Sequence, residues 1–234
     1  MKRRAVFNWS GGKDSALALY KLLQSSEYKI VSLLTTVNSA TRRSSMHAIP
    51  IPLLQAQSDS IGIPLYLIEY DPEAEIKGYE NCMLKAVEHF KKQGVHHFVF
   101  GDIFLHDVRS YREKQLHPHG IKVVEPLWNM KTAEVMQEFL QSGLKTIVVT
   151  TMANLLDHAF IGRLVDRSFV ESLPDGVDIC GENGEYHTFC FDGAMFKYPV
   201  RYSLGTPFEF SQSVGMEDGT QQTFNYWYAN LNHV

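Results

Sequence analysis

Six consecutive residues near the amino terminus, Ser10-Gly11-Gly12-Lys13-Asp14-Ser15, restrict this chain more than any other feature. They follow a short apolar run, Ala5 to Asn8, that reads as a buried strand. They open a helical pattern from Asp14 to Gln24, in which Leu17, Tyr20, Lys21 and Leu23-Gln24 fall at helical spacing. Two adjacent glycines let the backbone take positive φ and approach a ligand without a Cβ in the way. The successive N–H groups can then form an anion-binding concavity, reinforced by the positive end of the helix that follows. Ser10 and Ser15 add hydroxyl donors, Lys13 adds a charge, and Asp14 offers a carboxylate for a magnesium ion. The bland alternative is a Ser-Gly-Gly turn with an acidic residue in the first helical turn. Gly12-Lys13 is followed by Asp14 rather than Ser or Thr, which excludes a Walker A loop, and no G-x-G-x-x-G pattern is present.

The first half of the chain repeats this strand-to-helix alternation. Ile30 to Val37, Leu65 to Tyr70, His97 to Phe100 and Lys122 to Val124 read as further strands. Helical patterns run over Pro50 to Ile61, ending near Gly62, over Glu73 to Gln93, ending at Gly94, and over Val108 to Leu116, ending before Pro118. Strands separated by helices imply an α/β unit with a mostly parallel, Rossmann-like sheet, whose ligands bind beyond the carboxyl ends of the strands. After Pro126 the pattern loosens, with a helix at Thr132 to Gln141 and a strand at Thr146 to Thr150. A boundary is therefore expected near residue 127, dividing residues 1–126 from a second part, 127–234, with the two packed closely. The stretch after about residue 205, rich in Phe, Gln and Tyr, is left unassigned, as a cover for the site or an interface.

Composition narrows the compartment and the partners. The net charge of −4 and the absence of a long basic run argue against nucleic acid. The three cysteines, Cys82, Cys180 and Cys190, are odd in number and widely spaced, which suits a reducing compartment. No apolar stretch approaches the ~20 residues of a membrane span, and the apolar run at the start is too short for a signal peptide. A cytoplasmic protein with no membrane partner is the expectation; self-association is left open.

A second polar constellation lies at Cys180-Gly181-Glu182-Asn183-Gly184-Glu185-Tyr186-His187-Thr188. Asn183-Gly184 is a two-residue hairpin signal, because both positions tolerate positive φ. In that register Glu182 and Glu185 face each other across the turn, and like charges so placed call for a cation between them, either ammonium or a second magnesium. Period-2 alternation puts His187 on the same face as Glu185. Asp102, after Gly101 at the end of a strand, is placed either at a sheet-edge nucleotide site or at a helix cap. Arg109 and Arg112 read as surface arginines or as ligands for an anion, and Trp128 as core or interface. His117-Pro-His119 has no third ligand at zinc spacing and reads as a turn.

Ser10 to Ser15 resembles the PP-loop of the ATP-pyrophosphatase superfamily, whose members adenylate a substrate and release pyrophosphate. The set formed by that loop with Met46-His47, Leu53-Leu54-Gln55-Ala56-Gln57, Gly101-Asp102-Ile103, Glu125-Pro126-Leu127-Trp128 and Cys180 to Thr188 resembles the diphthine–ammonia ligase family, from residue 4 to roughly residue 200. The resemblance implies an adenine-nucleotide α-hydrolase-like first domain and a smaller α+β second domain. It implies a carbon–nitrogen ligase that uses ATP, with magnesium, to join ammonia to a carboxylate acceptor, yielding AMP and pyrophosphate. Ser10, Gly11, Gly12, Lys13, Asp14, Ser15 and Asp102 would bind the nucleotide; Lys13, Asp14, Glu182, Glu185 and His187 would serve the chemistry. No glutaminase arrangement is visible, so free ammonia is the simpler nitrogen source. The family's diphthamide enzymes typically read Glu-Gly-Gly-Glu-Tyr-Glu-Thr where this chain has Glu182-Asn183-Gly184-Glu185-Tyr186-His187-Thr188. That variant looks like a bacterial subgroup linked to corrinoid salvage, so a protein side chain and a corrinoid-related carboxylate both stand as acceptors. Sulfur transfer and a non-catalytic ATP sensor are the alternatives.

Overall fold

The computed structural model describes residues 2–71, 76–215 and 221–234. The apolar run at the amino terminus forms β1 (Arg3–Asn8), and the chain turns through the two glycines into α1 (Lys13–Gln24). Next come β2 (Tyr28–Asn38), the two-residue β3 (Arg43–Ser44), α2 (Ile51–Ile61) and β4 (Leu65–Tyr70). Helix α2 stops where expected, at Gly62, whose φ of 81° places it in the left-handed region that closes helix ends. Then follow α3 (Ile76–Lys91), β5 (His97–Val99), α4 (His106–Leu116) and β6 (Lys122–Val124). The start of the expected helix at 73–75 lies outside the described residues.

These strands make one six-stranded sheet. Strands β4, β2, β1, β5 and β6 lie side by side and all pair in parallel, while β3 pairs antiparallel with the end of β2. From β1 the chain first builds outward through β2 and β4, and later returns to add β5 and β6 on the opposite side. The order therefore reverses between β1 and β5, and a crevice opens there beyond the strand ends.

The second half makes α5 (Thr132–Gln141), β7 (Lys145–Met152), α6 (Arg167–Glu171), β8 (Tyr186–Asp192), β9 (Tyr202–Gly215) and β10 (Gln221–His233). Its four strands form an antiparallel sheet in the order β8-β7-β10-β9. The stretch left unassigned in the sequence is thus a long hairpin, β9 with β10, joined to the rest by β7.

One face of the parallel sheet and the antiparallel sheet share a core. Phe7, Trp9, Leu17 and Leu19 are buried in the same cluster as Phe139, Ile147, Val149 and Phe189. Burying both sets together ties strand β8 against the start of α1, and this contact builds the site. The other face of the parallel sheet packs Val6, Leu34 and Phe98 against Val87, Phe90 and Leu116 of α3 and α4. Among the described residues no helix is long and apolar enough to cross a membrane.

Candidate functional site

The glycine turn after β1 is held in place by neighbours distant in sequence. Gly11 has φ 84°, and a Cβ there would lie 2.6 Å from Ile49 and 3.0 Å from Gln57 Oε1, so only glycine fits between α2 and the loop. The Gly11 carbonyl accepts from the Cys190 amide at 2.8 Å and from Gln57 Nε2 at 3.0 Å. Gln57 is fully buried, donates also to the Cys190 carbonyl at 2.6 Å, and accepts from the Trp9 indole at 2.9 Å. A glutamine satisfied on all these sides locks the loop between α2 and β8. The Lys13 amide donates to Thr188 Oγ1 at 2.8 Å, and the hydroxyls of Ser10 and Ser15 lie 3.0 Å apart. Gly12 is the N-cap of α1, and no side chain caps the helix from that position. The Gly12 amide donates to Ser10 Oγ at 3.3 Å and the Lys13 amide to Thr188, so an anion at the positive end of α1 would meet the dipole and the next amides, those of Asp14 and Ser15.

This helix end opens on a cavity of about 970 Å³, lined from both halves of the chain. Ser10, Lys13, Asp14, Ser15, Asp102, Glu182 and His187 all line it, together with Thr35, His47, Arg112 and Thr188. Gly11 and Gly12 form the turn beneath it. The cavity lies beyond the carboxyl ends of β1, β2 and β5, where the strand order reverses. Such a volume suits a nucleotide with a second substrate.

Lys13 is only 3% exposed. Its ammonium group donates to both Asp14 oxygens at 2.9 and 2.7 Å, and to the Cys180 carbonyl, and lies 5.2 Å from the centre of the Tyr186 ring. Burial is the largest single influence and works against its charge, but the Asp14 carboxylate, Tyr186 and Cys180 together outweigh it and hold the pKa above the ordinary lysine value. Burial lifts Asp14 above the usual aspartate value, with Lys13 pulling the other way. Both Asp14 oxygens are thus taken by Lys13. Among the described residues no group of three or more His, Cys, Asp and Glu side chains is placed to hold a metal ion. The donor set does not fit a protein-held magnesium ion at Asp14.

The expected hairpin at Asn183-Gly184 does not form. Residues 178–185 are a turn, with the Gly184 amide bonded to the Gly181 carbonyl at 3.1 Å, and β8 starts only at Tyr186. The physical reason is Glu185. Its carboxylate turns inward, 3% exposed, and accepts from the amides of Asp178 (2.9 Å) and Asn183 (3.0 Å) and from Asn183 Nδ2 (3.0 Å). Asp178 does the same for the amides of Cys180 and Glu182. Glu182 and Glu185 consequently do not face each other, and Glu185, unlike His187, is not among the residues lining the cavity. Glu182 reaches across to the parallel sheet, accepting from the Ile103 amide at 2.8 Å. Burial, with Asp14 adding repulsion, pushes its pKa up to about 7.

Asp102 is not a helix cap, since α4 is capped by Leu105; it pairs with Arg112 at the cavity wall. Arg109 and Arg112 are not free surface arginines. Both meet Glu125, whose side chain is fully buried, with Arg109 Nη1 at 3.1 Å and Arg112 Nη1 at 3.7 Å. Arg109 also covers the Trp128 ring at 4.5 Å, and Arg112 the Phe100 ring at 4.0 Å. Burial, joined by Asp102, lifts Glu125 to about 7. His117 and His119 sit in an exposed turn. Cys180 and Cys190 are buried, and burial pushes the Cys180 thiol up to about 12 and the Cys190 thiol higher still.

Thr188, Gln57 and His47 belong to the site without having been singled out as functional residues in the sequence. Each acts through a partner far along the chain, which spacing alone does not reveal.

The family model of the diphthamide synthase N-terminal domain matches residues 1–123, and that of the diphthamide synthase C-terminal domain matches residues 131–214. The chain belongs to the diphthamide synthase family. Its parallel sheet is that of an adenine-nucleotide α-hydrolase-like fold, with the antiparallel sheet beside it. The diphthine–ammonia ligase of Bos taurus is 26% identical over 217 residues, which is 82% of this chain and 79% of that protein. The Danio rerio protein of the same name is 26% identical over 224 residues, covering 84% and 85%. The Homo sapiens one is 30% identical over a shorter stretch of 79 residues, 32% of this chain and 30% of its own. Both halves of the cavity wall, residues 10–15 and 180–188, fall inside the regions matched by the diphthamide synthase models.

Proposed function

We propose that this chain, an ATP-dependent ligase by family, transfers AMP from ATP to the carboxylate of an acceptor and then lets ammonia displace the AMP, leaving an amide. The observation that carries the reading is the start of α1, behind Gly11 and Gly12, opening with Ser10, Lys13, Asp14 and Ser15 on the cavity at the point where the strand order reverses.

In the first step an acceptor carboxylate oxygen attacks the α-phosphorus of ATP. The bond to the bridging oxygen breaks, and pyrophosphate leaves with the electron pair. The amides at the start of α1, the dipole behind them and the charge of Lys13 stabilise the pyrophosphate as it forms. Ser10 and Ser15 supply hydroxyl donors at the same place. In the second step the ammonia lone pair attacks the acyl carbon, AMP departs with its electron pair, and the nitrogen loses a proton to the Glu182 carboxylate. A carboxyl group titrating at about 7 is matched to taking a proton at neutral pH. Glu185 is a positioning residue in this scheme: it fixes the turn that carries Glu182 and the Cys180 carbonyl on Lys13. Asp102, paired with Arg112, lines the same cavity, near enough to Asp14 and Glu182 for its charge to act on both. The acceptor is a carboxylate on a protein side chain such as diphthine, which the relatives' name gives, or on a corrinoid-related small molecule. Sulfur transfer is disfavoured by the two buried thiols, whose raised pKa values suppress the thiolate.

The test is isotope exchange between pyrophosphate and ATP, run without ammonium in the presence of candidate acids. Exchange that depends on one acid, with AMP accumulating once ammonium is added, is the expected result. Formation of ADP would remove the adenylation step.

A further inference from the structure

His47 sits in a short turn between β3 and α2 that the backbone adopts against its own preference. Met46 and Ala48 hold φ of 59° and 51°, and Arg42, just before β3, holds 58°, the left-handed region that L-residues seldom occupy. Such conformations persist where surrounding structure over-determines them, and they cluster at functional sites. Here the Ala48 amide is bonded to the Ser44 carbonyl at 3.1 Å, Arg43 Nη1 to the Ala48 carbonyl at 2.8 Å, and Thr150 Oγ1, from the antiparallel sheet, to the Met46 carbonyl at 3.2 Å. The outcome is that the His47 ring lies over Gly12: a Cβ on that glycine would run into the imidazole. His47 Nδ1 is 2.8 Å from the Thr188 carbonyl. A carbonyl only accepts, so Nδ1 carries the proton and Nε2 is the nitrogen left for a ligand. The His187 ring packs beside it with centroids 4.8 Å apart, and its own Nε2 is buried without a hydrogen-bond partner.

We propose that His47 is a substrate-contacting residue at the polyphosphate end of the cavity, taking up one proton at Nε2 as the nucleotide arrives over Gly12 and donating it in a hydrogen bond to a phosphate oxygen. The inference rests on the ATP reading above and adds to it a residue and a proton.

The ring is neutral in the free protein. Burial, opposed by the Thr188 carbonyl and joined by the charge of Lys13, brings its pKa down to about 4. The charged and titratable neighbours acting on it are Lys13 from α1 and His187 from β8, and burial depresses His187 as well. A bound polyphosphate reverses this balance. At about 4 Å and an effective dielectric of about 20, one opposite charge moves a pKa by roughly three pH units, and ATP brings several. The proton comes from solvent and leaves with the pyrophosphate or returns to solvent, so no bond of the substrate is broken by it.

The measurement is calorimetric binding of a non-hydrolysable ATP analogue to the full chain at about pH 7, in two buffers of different ionisation enthalpy. The wild type is expected to take up close to one proton more per nucleotide than His47→Asn. Asn keeps an N–H for the Thr188 carbonyl but has nothing at the Nε2 position, so the fold is preserved while the contact is lost, with binding about tenfold weaker. His187→Asn, made in parallel, is expected to keep the uptake. Equal uptake and affinity in wild type and His47→Asn would overturn the proposal while leaving the nucleotide site standing. Absence of any nucleotide binding by the wild type would overturn the ATP reading itself.

Discussion

The loop at residues 10–15 offers backbone amides to the cavity, whereas the segment at 178–188 offers side chains and spends two carboxylates on holding its own shape. On the first wall Thr188 takes the Lys13 amide, and the Asp14 and Ser15 amides that follow it at the start of α1 are the ones offered to an anion. On the second, Asp178 and Glu185 satisfy the amides of the turn, and of the segment's three carboxylates Glu182 is the one that reaches across to the loop at Ile103. A backbone site on one side and Glu182, a half-buried acid that lines the cavity, on the other suit a reaction in which charge leaves toward the first wall and a proton toward the second.

The sharpest way to break this division is Lys13→Ala. Loss of the Lys13 charge beside the helix end should lower AMP formation by about 10²–10³, as when a preorganised donor is removed from an active site. A rate within threefold of wild type, in a protein with an unchanged melting temperature, would mean that the first wall does not carry the phosphate charge.

Glu182→Gln probes the second wall and should slow amidation by about 10², in line with loss of a general base. The pH profile is the more telling readout. At a fixed concentration of free ammonia, and with the carboxyl at about 7, amidation by the wild type should rise with pH through that value and level above it, and the variant should lose this limb. Stability should show the opposite slope. The folded pKa lies above the ordinary 4.5, so between about 4.5 and 7 the native state binds more protons than the unfolded chain, and stability falls as pH rises through that window. Glu125 contributes in the same direction, so denaturant titrations of Glu182→Gln should give a shallower slope rather than none.

Glu185→Gln separates holding from chemistry. The change weakens a buried carboxylate that accepts three N–H groups, and should cost about 2 kcal/mol of stability, read by chemical denaturation, with a smaller effect on rate than Glu182→Gln. If Glu185→Gln were fully stable and inactive, the roles of the two acids would have to be exchanged.

The smallest effect is expected at Gly12. A Cβ there meets the His47 ring and lies 3.0 Å from the Thr188 carbonyl, so Gly12→Ala should lose about 1–2 kcal/mol and raise the KM for ATP, seen in thermal melts and initial rates.

What could be read in the sequence divides along the same line as the two walls. The loop was legible because its signal is local, an apolar strand, two glycines and a helix in a continuous stretch, although the residues that hold it, Gln57, Thr188 and Cys190, are distant. The parallel strands were legible for the same reason, each being an apolar run set off from the helices, as β4 is from α2 by Gly62. The second wall was not. Asn183-Gly184 carries a sound hairpin signal, but the local preference lost to the buried Glu185 carboxylate, whose partners impose a different turn. Hairpin β9–β10 was hidden because its strands mix Ser, Gln and Asn with aromatics, and because a register shift between Tyr228 and Asn230 breaks the alternation that would reveal a strand. His47 depends on positive φ at Met46 and Ala48, residues that give no sign of it. Arg109 and Arg112 looked like surface charges because their partner, Glu125, comes from the end of another strand.

The most direct measurement is a crystal structure with an ATP analogue whose α–β bridge resists cleavage. The expected result places the polyphosphate on the amides that open α1, beside Lys13 and under the His47 ring, with the base toward the ends of β1 and β2. A nucleotide bound elsewhere, such as the separate cavity between Met136, Leu140 and Val165, with residues 10–15 unoccupied, would contradict the account.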